Sequence, residues 1–392
     1  MKITTTILTL CLASVSALAQ PSRPQTPQAP FPYESVDLLI DATDEGMDQS
    51  PWTPVFDGFT HVLGATLTLP DPEQFGDGPY PGVVMITGSG PQDRDSTIMA
   101  HKPFLVIADA LTRQGIAVLR MDDRGIGKST GVFGLTSVEQ HARDAWFGVR
   151  TLIEHPKVHA SKVGVIGHSQ GGMIAPYLAA QDPDVAFIVM LAGTGVDGAT
   201  VLIDQTELMY KKTDLDADYI SAALERRATL FERMCAGAER DELLELVKEV
   251  AIAEFRVPDG DDALKLAEQM LPQFNNAPMR SFICHDPREY LPWINIPVLA
   301  MNGSLDVQVT PRLNLDAIRE TLDKAGNRNA TIVELSGLNH LFQHAKIGAI
   351  GEYATIEETF APEALGILTS WVVATTDALG ADMPTEDIPS ED

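Results

Sequence analysis

The sequence predicts an α/β protein with a mostly parallel central sheet, helices on both faces, antiparallel strands ahead of the sheet and a helical insertion within it. Three observations carry this. Short, nearly unbroken apolar runs alternate with helical periodicity between Gly82 and Leu191, the pattern of strands covered on both faces. Two β-branched runs precede them, Tyr33–Ile40 and His61–Leu69, as expected of antiparallel strands. Strand signals then stop between Thr194 and Arg288 and resume at Ile296–Met301 and Ala330–Leu335.

Met1-Lys2, an apolar run to Leu18 and the small-x-small end Ala17-Leu18-Ala19 predict a secretory signal peptide over residues 1–19. A buried N-terminal helix is the competing reading. It is disfavoured because Pro21, Pro24, Pro27, Pro30 and Pro32 follow at once and no helix continues through them. Residues 20–32 are a Pro-rich leader, expected to be extended and mobile.

Residues 33–193 form the first part of the sheet domain. The expected strands there are Gly82–Thr87, Ile116–Met121, Val163–Gly167 and Phe187–Leu191; the expected helices are Phe104–Gln114, Ser137–His155 with Ser137 as cap, and Gly171–Ala180. Residues 194–288 are rich in Glu and Ala and predict a helical cap with helices at Ala217–Met234, Glu239–Phe255 and Asp262–Leu271. Residues 289–376 complete the sheet domain and end in a helix from Pro362 to Thr376, and residues 377–392 read as an acidic, solvated tail.

The formal net charge of −27 disfavours nucleic acid and anionic lipid as partners. Beyond the signal peptide no segment has the length and hydrophobicity of a membrane span. The expected location is therefore secreted or periplasmic. Export brings Cys235 and Cys284 into an oxidising compartment, where both a disulfide and two buried thiols fit the sequence.

The strongest chemical signal is Gly167-His168-Ser169-Gln170-Gly171, a G-x-S-x-G set between a strand and a helix. A sharp turn there exposes the serine hydroxyl at the strand's carboxyl end, beside a helix N-terminus that favours an anion. A serine needs a base, and the base needs an orienting acid. In a chain that orders them Ser, acid, His, the candidates lie after the last two strands. His340 follows Ala330–Leu335, and Asp306 is the sole acid in the loop after Ile296–Met301. His344 is read as a surface or capping residue one turn further on. The oxyanion of an acyl-transfer intermediate needs two backbone N–H donors. Gln170 supplies one, and Ser89 supplies the other from Gly88-Ser89-Gly90-Pro91, with Gly90 as the alternative.

Three weaker patterns fail. Asp122–Ser129 ends in G-K-S but has Asp122 where a phosphate-binding loop needs glycine; it reads as structural, with Arg124 in an ion pair. Gly193-Thr-Gly195-Val-Asp-Gly198 follows a strand, but the next strand of a dinucleotide-binding unit is missing. His340 and His344 have helical spacing for a metal, but Leu341 stands where a zinc protease has glutamate. No metal and no cofactor are expected.

Assembled, the chain resembles the EstD-like bacterial carboxylesterases, within the α/β-hydrolase superfamily that also holds a serine aminopeptidase-like group. The resemblance runs from about Leu63 to Trp371 and rests on Gly64–Pro70, Gly88–Asp95, Asp122–Gly125, Gly167–Gly172, Asn302–Val309 and Leu338–Gln343. It implies a Ser169, Asp306 and His340 triad that hydrolyses short-acyl esters of small molecules through an acyl-enzyme, without a metal. A serine aminopeptidase of the same fold is the alternative enzyme. A non-catalytic binding module on the same fold is the alternative of another class, disfavoured because such modules usually lack part of the triad.

Overall fold

The computed structural model describes residues 23–43 and 61–381. The signal peptide, residues 20–22 of the leader and residues 382–392 of the tail lie outside them.

Among the described residues eight strands form one sheet in the order β1-β2-β4-β3-β5-β6-β7-β8. β1 (Glu34–Asp41) pairs antiparallel with β2 (Val62–Leu69), and β2 pairs antiparallel with β4 (Ala117–Met121). Every later pairing is parallel: β4 with β3 (Tyr80–Ile86), β3 with β5 (Val158–His168), then β6 (Ile188–Leu191), β7 (Val298–Gly303) and β8 (Ala330–Leu335). A short helix, α1 (Pro72–Phe75), precedes β3.

Alternation along the strands divides the core between the two faces. Val84, Val165, Ile188, Met190, Val298 and Ala300 point to one layer, where α3 (Val138–Ile153), α4 (Gln170–Gln181) and α10 (Pro311–Ala325) pack. Val83, Met85, Ile166, Val189, Leu191, Leu299 and Met301 point to the other, beneath α2 (Pro103–Thr112) and α11 (Pro362–Ala381). Local signals set the helix ends. Ser137 and Gln140 form a reciprocal capping box at the start of α3, and Pro103 and Pro311 open α2 and α10 where a missing N–H is harmless.

Between β6 and β7 lie α5 (Gly198–Tyr210), α6 (Ala217–Cys235), α7 (Arg240–Phe255), α8 (Asp261–Phe274) and α9 (Ala277–Cys284). They enclose their own apolar cluster, including Leu230, Phe231, Leu243, Val247, Met270 and Ile283. Cys235 and Cys284 are joined, closing the end of α6 against the end of α9.

Several elements differ from expectation. β5 starts at Val158 rather than Val163, because Tyr80 of β3 pairs with Val158 across an irregular register. α5, α9 and α10 have no counterpart in the sequence reading; α5 and α9 are capped by Asp197 and Asn276. α11 continues past Thr376 to Ala381, into the stretch read as tail. From Arg23 onward the leader is fastened to the body rather than free. The Arg23 guanidinium donates to the carbonyls of Met99 at 2.8 Å and of Ile356, and the Gln25 amide donates to Phe360 O at 2.7 Å.

Candidate active site

Ser169 is the single residue between β5 and α4. Its backbone sits at φ 56° and ψ −117°, a conformation that costs a non-glycine residue about 1–3 kcal/mol. The turn closes only because its neighbours lack side chains. A Cβ on Gly167 would stand 2.0 Å from the Gly171 carbonyl oxygen, and one on Gly171 would stand 2.2 Å from that of Ile86. Ser169 N–H donates to Leu191 O at 2.8 Å, which ties the turn to the neighbouring strand. The residue is half-buried, and the helix that starts at Gln170 presents free N–H groups beside it.

Asp306 and His340 reach each other from the loops after β7 and β8. His340 Nδ1 lies 2.7 Å from Asp306 Oδ2, and both residues are buried. The other carboxylate oxygen, Oδ1, accepts the N–H groups of Gln308 at 2.8 Å and Val309 at 2.9 Å, so the acid is anchored on both sides. A carboxylate accepts only, which puts the imidazole proton on Nδ1 and leaves Nε2 as the basic nitrogen. Two asparagines stiffen these loops: Asn302 donates to Val309 O at 2.7 Å, and Asn339 Oδ1 accepts the N–H groups of Leu341 and Gln343 at 3.0 Å.

His168 links the serine turn to the histidine loop. Its ring centroid is 4.8 Å from that of His340, and its Nε2 lies 2.9 Å from the His340 carbonyl oxygen. The carbonyl can only accept, so His168 carries its proton on Nε2. Burial, helped by the neighbouring His340, pulls its pKa down to about 3, so the ring is neutral at any ordinary pH. Among the described residues no hydrogen bond joins the Ser169 hydroxyl to His340. Such bonds are commonly long without substrate and tighten in the complex.

The loop after β3 lies against the turn: a Cβ on Gly88 would stand 3.2 Å from Ser169 Cβ. Ser89 is exposed and Gly90 holds φ 85°, so both candidates for the second donor sit in a loop touching the serine. The insertion covers the acid loop, with Gln205 of α5 donating to Gln308 O at 2.6 Å and Thr310 donating to Asp204 at 2.7 Å.

His344 stands apart from this group. The chain after His340 forms a bridge back to Leu338 rather than a helix, and His344 sits exposed between Glu358 and Glu363, each 2.9 Å away. Arg124 pairs with Asp144 at 2.7 Å, as expected. Among the described residues no three His, Cys, Asp or Glu side chains are arranged to hold a metal, and no helix is long and apolar enough to cross a membrane. Sequence reasoning passed over His168, Asn302 and Asn339. His168 was in view within G-H-S-Q-G, but its partner is 172 residues away and no local signal reveals it.

Residues 102–345 match the family described as serine aminopeptidase, S33. Esterase EstD of Thermotoga maritima is 29% identical over 282 residues, covering 71% of this chain; the chain spans 58% of that relative's length. Among solved structures, the Pyrococcus furiosus esterase Pf2001 superposes with a TM-score of 0.50 at 15% identity, over 91% of this chain and 98% of that one. The proline iminopeptidase of Mycobacterium smegmatis also gives 0.50, at 14% identity, over 88% of this chain and 99% of that one. At those identities the two structures speak for the fold alone. The family match spans more than half of the chain, and the chain belongs to the serine aminopeptidase S33 family of α/β hydrolases.

Proposed function

We propose that the protein is an exported carboxylesterase that hydrolyses short-acyl esters of small molecules with Ser169 as nucleophile, His340 as base and Asp306 as the orienting acid. The observation that carries this is the buried Asp306–His340 pair at 2.7 Å, delivered to a serine turn whose own His168 touches His340. His340 Nε2 takes the Ser169 proton as the oxygen attacks the ester carbonyl. The N–H groups of Gln170 and of Ser89, or of Gly90 in its place, hold the oxyanion, each contributing about 3 kcal/mol to the barrier reduction. The imidazolium, stabilised by Asp306, returns the proton to the leaving alcohol. Water activated by the same nitrogen then releases the acid.

The family's description favours one rival, hydrolysis of amino-acyl amides. A panel of p-nitrophenyl esters of increasing acyl length, run beside amino-acyl p-nitroanilides at equal concentration, separates the two. Ester turnover highest for the short acyl groups is expected. Amide turnover that rivals it would replace the esterase reading, and no turnover at all would favour a binding module. Export is supported by the predicted signal peptide and by the Cys235–Cys284 disulfide, which suits an oxidising compartment. N-terminal sequencing of the exported chain should begin at Gln20, and a cytoplasmic, reduced protein would overturn this part.

A further inference from the structure

The Asp122-Asp123-Arg124-Gly125 block looked structural in the sequence, yet it grips the loop that carries the proposed oxyanion donors. Asp123 accepts the Thr87 hydroxyl on Oδ1 at 2.6 Å and the Gln92 N–H on Oδ2 at 2.8 Å. Its own N–H donates to Gln92 O at 3.1 Å. Thr87 and Gln92 are the two ends of the segment that contains Gly88, Ser89 and Gly90. One side chain therefore pins both ends of the loop, and Gln92 reaches inward from one of them. Its amide donates to Ser89 O at 3.1 Å and its amide oxygen accepts the Ser96 hydroxyl. Bonding the Ser89 carbonyl fixes the plane of the Ser89–Gly90 peptide, and so the direction of the Gly90 N–H. The same amide nitrogen lies 3.3 Å from where a Cβ on Gly88 would be, beside the Ser169 side chain.

The neighbouring aspartate holds the next stretch. Asp122 accepts from Arg94 N at 2.9 Å, Nε at 3.0 Å and Nη2 at 2.6 Å, and from Lys128 N at 2.9 Å.

We propose that Asp123 is a positioning residue for the reaction, acting through Thr87 and Gln92 to hold the loop of Ser89 and Gly90 in register with Ser169. The inference rests on the esterase reading above. A loop with glycines at positions 88 and 90 has little stiffness of its own, whereas oxyanion donors work only when their dipoles are fixed before the charge develops. Displacement of reacting groups by about 1 Å costs up to about 100-fold in rate. Asp123 touches no substrate in this role; it decides whether the donors are aimed.

Three variants test this by steady-state ester hydrolysis. Thr87→Val keeps the shape and removes one strut, and should lower kcat about 10-fold with KM changed less than about twofold. Thr87→Ser keeps the hydroxyl and should restore most of the loss. Asp123→Leu removes both struts and should lower kcat further, by 30-fold or more. If that variant does not fold, the Val and Ser pair carries the test by itself. A Thr87→Val enzyme with kcat within twofold of wild type, a Ser variant as poor as the Val variant, or a loss confined to KM would each overturn the proposal. Stoichiometric labelling of wild-type Ser169 by a fluorophosphonate is measured alongside. If the wild type is not labelled there, the underlying reading has failed; if it is labelled and Thr87→Val is fully active, the positioning role alone has failed.

Discussion

The sheet domain buries two apolar layers, one on each face of eight strands, whereas helices α5 to α9 enclose a third layer of their own and close it with the Cys235–Cys284 disulfide. In the proposed reaction the first region supplies the reacting groups, and the second covers the loop of the acid. Ser169, Asp306 and His340 each stand just beyond the carboxyl end of a parallel strand, so sheet register brings together residues far apart in sequence. The insertion meets the acid loop through Gln205, which donates to Gln308 O, and Asp204, which accepts from Thr310. Damage to the two regions should therefore be read out differently. Loss of a triad group should spare folding and destroy turnover. Loss of a brace in the insertion should weaken the fold locally and shift KM more than kcat.

The largest expected effect is at the strand ends. Ser169→Ala should lower kcat by about 10⁴-fold or more, with a melting temperature equal to or slightly above wild type because the strained turn loses no packing. Asp306→Asn should lower kcat by about 10⁴-fold, because an amide at that position favours the wrong imidazole tautomer. Near-normal turnover in either variant, measured with a short p-nitrophenyl ester, would break the assignment of chemistry to this region.

The next effect belongs to the insertion. The disulfide closes a loop with a sequence separation of 49, for which chain entropy alone gives roughly 4 kcal/mol of stabilisation. The double variant Cys235→Ser, Cys284→Ser should unfold earlier in urea while kcat stays within about threefold of wild type. A collapse of kcat with KM unchanged would show that the insertion shapes the reacting groups directly, and the contrast between the regions would dissolve.

The smallest effect is a pH slope. Burial pushes the Asp123 carboxyl up to about 7, with the nearby Asp144 and Asp122 adding to the shift and the bonds from Thr87 and Gln92 opposing it. The folded chain then keeps a proton that the unfolded chain releases near pH 4. The associated stability is present in full below about pH 4 and is lost as pH rises through about 7. Asp123→Asn removes this titration, so its urea midpoint should gain on wild type between about pH 4 and pH 7 and level off above that. Parallel midpoints over that range would remove the burial argument for this group.

The regions also differ in how far the sequence discloses them. In the sheet domain the pattern is local: apolar runs mark strands, Ser137 marks a helix start, and the glycines of Gly167–Gly171 mark a turn that tolerates no side chains. Ser169, Asp306 and His340 could be chosen because each follows a recognisable strand. In the insertion α6, α7 and α8 were legible from their Glu- and Ala-rich composition. α5 and α9 were not, since α5 lacks that composition and α9 is short. The cysteine pairing was undecidable because it depends on how α6 meets α9. Within the site, the same limit hid His168 and Asp123. Their residue types are ordinary, and their meaning comes from a carbonyl, a hydroxyl and an N–H brought in from other strands.

The central claim is that the hydroxyl at position 169 becomes acylated with His340 as its base. The direct measurement is a stoichiometric reaction of the folded protein with a fluorophosphonate, followed by peptide mapping of the adduct. A single adduct on Ser169, absent in Ser169→Ala and slowed severely in His340→Ala, is the predicted result. A folded wild-type protein that stays unlabelled, or carries the label on another residue, would contradict the account.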